Sequence, residues 1–119
     1  MHSSFAVQRR SEASLLDDYG CQFWRILPWG SGGSSENGMG LAIVPPGGRT
    51  ELHSHEEVEH FMVVSGRCDA YVDDQRIALQ EGDVLKVQSG HSHYFENTSR
   101  STSLELLCLW TRVEFSGSS

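Results

Sequence analysis

Two glycine-bounded stretches in the middle of the chain limit what its 119 residues can fold into and do. The first runs Gly47, His53-Ser54-His55, Glu59, Gly66, and the second Gly82, Gly90, His93, Asn97. Between the glycines lie runs of alternating apolar and polar residues, the pattern of short β-strands. Side chains two apart on a strand leave by the same face, so His53 and His55 can approach one point together. Glu59 opens the run His60-Phe61-Met62-Val63-Val64 and shares a face with Phe61 and Val63. A carboxylate on an inward apolar face is costly unless something neutralises it. Three imidazoles and a carboxylate suit a divalent transition metal, and the candidate ligands are His53, His55, Glu59 and His93.

These stretches resemble the two sequence motifs of the cupin superfamily, small β-barrels of the jelly-roll type. Gly47, His53, His55, Glu59 and Gly66 match the first motif, and Gly82, Gly90, His93 and Asn97 the second. Gln88 departs from the pattern, standing where the family usually has proline. The resemblance spans about residues 40 to 112 and implies an all-β fold class, a cupin-type jelly-roll β-barrel in a single domain. It says little about reaction, because the fold hosts oxygenases, isomerases, epimerases, lyases, sugar-binding modules and storage proteins. A finer resemblance links Leu27-Pro28-Trp29, Gly40 to Gly48, His53-Ser54-His55 and Leu107-Cys108-Leu109-Trp110 to the zinc cupin modules of hydrazine-forming enzymes. That likeness implies formation of a nitrogen–nitrogen bond in natural-product biosynthesis, with a separate activating partner.

Charge and composition narrow the partners. Nine basic against sixteen acidic residues give a net charge of -7, with Lys86 the single lysine, so nucleic acid and anionic membranes are poor partners. No apolar run approaches the roughly 20 residues of a membrane span, and the N-terminus lacks a signal-peptide layout. Cys21, Cys68 and Cys108 are odd in number and scattered, which reads as free thiols in a reducing cytoplasm.

Along the chain, residues 1–20 read as an N-terminal arm, flexible or with a short helix around Ser11 to Asp18. Residues 21–115 read as the barrel and 116–119 as a disordered tail. Strands are expected at Cys21 to Leu27, Met39 to Val44, Gln75 to Leu79, Val84 to Val87, His93 to Glu96 and Ser103 to Phe115. A flexible loop is expected at Gly30 to Gly38, and a hairpin turn at Asp73-Asp74. Leu104, Leu106, Cys108 and Trp110 fill one face of the last strand while Leu107 and Leu109 occupy the other, so a partner subunit or the arm must cover the second face. A homodimer is the expected state.

The inward parity of Phe61, Val63, Cys68 and Ala70, with Trp110 near the mouth, predicts an apolar pocket for a small-molecule substrate. Glu59, His91 and metal-bound solvent are the candidates for acid–base work, while His60 and Tyr71 read as structural or surface residues. Trp24, Trp29 and Trp110 read as packing residues by default, although a tryptophan at the barrel mouth could stack on a substrate. The ligand set admits zinc or iron first, with manganese, nickel, cobalt or copper also accepted. It does not separate oxygenase chemistry from Lewis-acid lyase, isomerase or rearrangement chemistry. A non-catalytic metal-dependent binding module is the competing class.

Overall fold

Alternation along the strands builds two sheets that face each other across one core. The structure, a computed structural model, describes residues 4–29, 37–54 and 56–112. Its strands are β1 (Leu16–Asp18), β2 (Cys21–Leu27), β3 (Asn37–Val44), β4 (Val58–Ser65), β5 (Arg67–Val72), β6 (Gln75–Gln80), β7 (Val84–Val87), β8 (His93–Asn97) and β9 (Leu104–Thr111). The larger sheet has the order β1-β2-β3-β9-β4-β7, and the smaller β6-β5-β8. All its described pairings are antiparallel, so the fold is all-β and jelly-roll in kind.

The inward faces fill the space between the sheets. Leu104, Leu106 and Cys108 on β9 are buried, while Leu109 on the same strand is 41% exposed. Phe61 and Val63 on β4 meet Cys68 and Ala70 of β5 and Phe95 of β8 in a single apolar cluster. Gly66 joins β4 to β5 at φ 91°, and a Cβ there would lie 2.9 Å from the Ser103 carbonyl oxygen. Both the left-handed backbone and the close approach require glycine.

The segment after the Pro45-Pro46-Gly47 turn extends the smaller sheet beyond β8. Asn97 N–H donates to the Gly48 carbonyl at 2.9 Å and Thr50 N–H to the Phe95 carbonyl at 2.9 Å. His53 and His93 exchange two backbone hydrogen bonds, at 3.0 and 2.8 Å. Asn97 fastens the closed end of the sandwich. Its buried amide donates to the carbonyls of Val44, Pro45 and Thr102 at 3.1, 3.1 and 2.8 Å, and its Oδ1 accepts from Ser99 N–H at 2.9 Å.

Two expectations about the arm and the loops change. Residues Arg10–Glu12 form one 3-10 turn, and Leu16–Asp18 is a strand paired with β2. The sheet therefore begins before residue 21, in place of a helix around Ser11 to Asp18. The chain reverses at Tyr19 and Gly20, both left-handed at φ 56° and 78°, which suits a tight hairpin. Asn37 and Gly38, expected in the loop, open β3; residues 30–36 of that loop and residues 113–119 lie outside the described residues. Trp29 is exposed and leaves the core to others. Among the described residues, no helix is long and apolar enough to cross a membrane.

Asn97→Ala removes the side-chain donor to three carbonyls and the acceptor of Ser99 N–H, and should lower unfolding stability by about 2–4 kcal/mol. Urea denaturation followed by tryptophan fluorescence checks this, and an unchanged midpoint would mean that Asn97 does not fasten the sandwich end.

Candidate functional site

A cavity of about 240 Å³ opens between the sheets at the end opposite the Asn97 bonds. Its inner walls are apolar: Phe23 and Ala42 from the larger sheet's edge side, Phe61, Leu106 and Cys108 from its centre, Phe95 from the smaller sheet. His53, Glu59 and His93 supply polar groups along the same wall. Glu59 reaches it from β4 because its register partners, Trp110 on β9 and Val87 on β7, also face inward. His53 and His93 arrive together because their backbones are bridged.

His93 and Glu59 form a buried pair, with Nε2 2.9 Å from Oε1 and side-chain exposures of 7% and 11%. His93 Nδ1 lies 3.1 Å from the His91 carbonyl oxygen. A carbonyl oxygen can only accept, so that bond requires a proton on Nδ1 and turns Nε2 toward the carboxylate. Burial pulls the His93 pKa down, but the hydrogen bonds to Glu59 and His91 and the Glu59 charge outweigh it, and the net direction is upward. His53 Nε2 lies 3.8 Å from Glu51 Oε1, and the Tyr19 ring packs edge-on against the His53 ring at 4.7 Å.

Of the four predicted ligands, His53, Glu59 and His93 come to one cavity, and His55 lies outside the described residues. Among the described residues no group of three His, Cys, Asp or Glu side chains is arranged to hold a metal ion. The donor chemistry nevertheless fits one. Two imidazoles and a carboxylate line one largely apolar cavity, and these are donor types that a divalent transition metal accepts.

Of the residues expected around the pocket, Phe61 and Trp110 line the cavity. Val63, Cys68 and Ala70 do not line it. They face inward as their parity implies, but at 1%, 2% and 0% exposure they belong to the packed half of the sandwich. His91 is also displaced. Its side chain is half-exposed and bonds Asp73, Nδ1 to Oδ2 at 2.6 Å; it does not line the cavity and meets the site through its carbonyl, at His93 Nδ1. Tyr19, Arg25, Thr50, Glu51 and Glu57 line the cavity without having been anticipated. Arg25 could have been found, since it shares inward parity with Cys21 and Phe23 on β2.

Burial suppresses thiol chemistry at the cavity and beneath it. Desolvation, with help from Asp18 and Glu51, pushes Cys21 up to about 11. Desolvation with Asp69 and Asp83 pushes Cys68 up to about 12. Cys108 moves in the same direction, through burial first and then the charge of Glu59. Since the thiolate is the reactive form, an aromatic disulfide reagent at pH 8 should find almost no thiol in native protein and three per chain in denaturant. Rapid reaction of native Cys68 would contradict its placement.

Comparison with known proteins accords with this geometry. A family model described as Cupin domain matches residues 40–110. An oxalate-binding protein from Thermotoga maritima is 36% identical over 67 residues, which are 56% of this chain and 54% of that protein. The chain thus matches about half the length of this relative. Among solved structures, a Cupin 2 conserved barrel domain protein from Salinispora arenicola CNS-205 superposes with a TM-score of 0.79 at 22% identity, covering 92% of this chain and 90% of that one. A predicted oxalate decarboxylase from Thermotoga maritima gives 0.77 at 24% identity, covering 91% and 100%. At such identities these structures establish the shared fold alone.

Proposed function

The chain belongs to the cupin family, and on that footing we propose that it is a metal-dependent cupin enzyme acting on a small organic molecule. His53, His55, Glu59 and His93 would hold one divalent ion, zinc or iron. The observation that carries this reading is the buried Glu59–His93 pair, beside His53, in a cavity that is otherwise mostly apolar. A divalent ion bound there supplies Lewis-acid polarisation of a substrate oxygen or, as iron(II), redox chemistry with dioxygen. The protein's own residues do the rest. Phe61, Phe95 and Leu106 exclude water from the inner wall, and Tyr19 backs the His53 ring. Glu51 and Glu57 are cavity-lining carboxylates outside the ligand set and can accept a substrate proton.

A second reading draws support from the name of the Thermotoga relative, an oxalate-binding protein. In it the chain holds a small carboxylate without turning it over. Elemental analysis and turnover separate the two. Protein purified without added metal should carry about one transition-metal ion per chain, and His53→Ala or His93→Ala should lose at least about nine-tenths of it. Full metal content in either variant would overturn the ligand assignment. A metal-loaded protein that binds small carboxylates but leaves them unchanged, with and without dioxygen, would favour the binding module.

The outer face of the larger sheet supports self-association. The arm covers part of it: Gln8 donates to the Ile26 carbonyl and Arg10 pairs with Glu105. Met62 on β4, Val84 on β7 and Leu109 on β9 remain 40%, 60% and 41% exposed on adjoining strands. This face, apolar at Met62, Val84 and Leu109 with His60 and Lys86 among them, can meet its own copy about a twofold axis, so the proposed occupant is a second chain. Light scattering at micromolar concentration should give twice the monomer mass, reduced to the monomer by Leu109→Glu. A monomeric native protein would leave the arm as the sole cover.

A further inference from the structure

We infer that Arg25 is the specificity-determining residue of the cavity and selects a small carboxylic acid with an apolar body, its carboxylate on the guanidinium. The inference deepens the proposed function and rests on its reading of the cavity as the ligand site. Arg25 lies on the inward side of β2, opposite Gly40 of β3, and lines the cavity at an exposed position. Its guanidinium carbon stands 5.6 Å from the centroids of both the Phe23 and Trp110 rings. A third tie, at 3.5 Å, runs from its Nη2 to the Tyr19 hydroxyl. Among the described residues, no carboxylate lies within ion-pair distance of it.

Two glycines make the shelf on which this cation rests. A Cβ at Gly40 would stand 2.1 Å from the Phe23 ring, and one at Gly38 2.0 Å from the Trp110 ring. Any side chain at either position would displace those rings, which lie flush against β3 only because the strand is bare there. The aromatic floor holds the cation in place through the negative ring faces and offers apolar contact to whatever the cation binds. A guanidinium recognises a carboxylate in a bidentate fork.

Distance and charge select the class further. Tyr19 touches Arg25 through its hydroxyl and His53 through its ring, so the cationic anchor and the His53 imidazole lie about one phenol apart. A ligand that reaches both needs a short apolar body between its carboxylate and a second polar end. The acidic rim does not forbid an anion: Arg25 offsets part of the charge of Glu51, Glu57 and Glu59, and a divalent ion held by the imidazoles and Glu59 would offset the rest.

Calorimetry with phenylacetate and its neutral isostere phenylacetamide tests this, on metal-loaded and metal-stripped full-length protein. Phenylacetate should bind native protein about tenfold or more tighter than the amide, a preference of the size expected for one charge-assisted contact. Arg25→Gln should reduce the preference to less than about threefold, and Arg25→Lys should keep part of it. A preference unchanged in Arg25→Gln but abolished by stripping the metal would overturn the inference while leaving the metal reading intact. An Arg25-dependent preference in protein that carries no metal as purified and takes none up would support the inference and overturn the metal reading. Equal binding of the two probes, or none of phenylacetate at millimolar concentration, would overturn it outright.

Discussion

The backbone bridge between His53 and His93 is the constraint on which the site depends. The two residues are distant in sequence and belong to different motifs, yet their paired N–H and carbonyl groups hold them in register at 2.8 and 3.0 Å. The bonds of Gly48 and Thr50 to β8 hold the start of this segment, and without the bridge its far end, with His53, would have no fixed relation to Glu59. With it, that segment becomes an added edge of the smaller sheet and the wall of a cavity. Backbone bonds suit this task because they fix position whatever the side chains do, leaving both imidazoles for chemistry.

Against that frame the Glu59–His93 pair is expensive. Taking two ionisable groups out of water costs several kcal/mol each, and well-packed apolar residues of similar volume are often neutral or stabilising by comparison. Removing one partner alone costs about 3–5 kcal/mol, a large part of the roughly 5–15 kcal/mol by which a domain is stable. Stability therefore gives no reason to place the pair at 7% and 11% exposure. Its position in the wall of a cavity gives a functional one.

Parity made much of this legible from sequence, and the limits of parity explain what was not. The strand Cys21–Leu27 and the inward faces of β4 and β9 follow from period-two alternation. Alternation names a face but not a depth. Val63, Cys68 and Ala70 face inward as firmly as Phe61, yet lie where the sheets close on each other, and which end stays open is decided by tertiary contacts such as those of Asn97. Parity also fails outside strands. His91 is two residues from His93, but β8 starts at His93 and His91 sits in a turn, its N–H 3.3 Å from the Gln88 carbonyl. β1 was hidden by Tyr19, a bulky residue in the left-handed region where glycine or asparagine is the usual signal.

Tyr19 and Arg25 show why a charged or strained residue near a strand end is easily misread. A left-handed tyrosine costs about 1–3 kcal/mol of backbone strain, which the fold tolerates because the ring it delivers packs between Phe23 at 5.3 Å and His53 at 4.7 Å. An arginine at inward parity reads as a surface interruption until the bare backbone of Gly38 and Gly40 is set beside it. The strained turn and the two glycines are separate departures from ideal strand composition, and each shapes the same wall of the cavity. Local rules broken together at one place, while the rest of the barrel obeys them, mark where the sequence serves something other than folding.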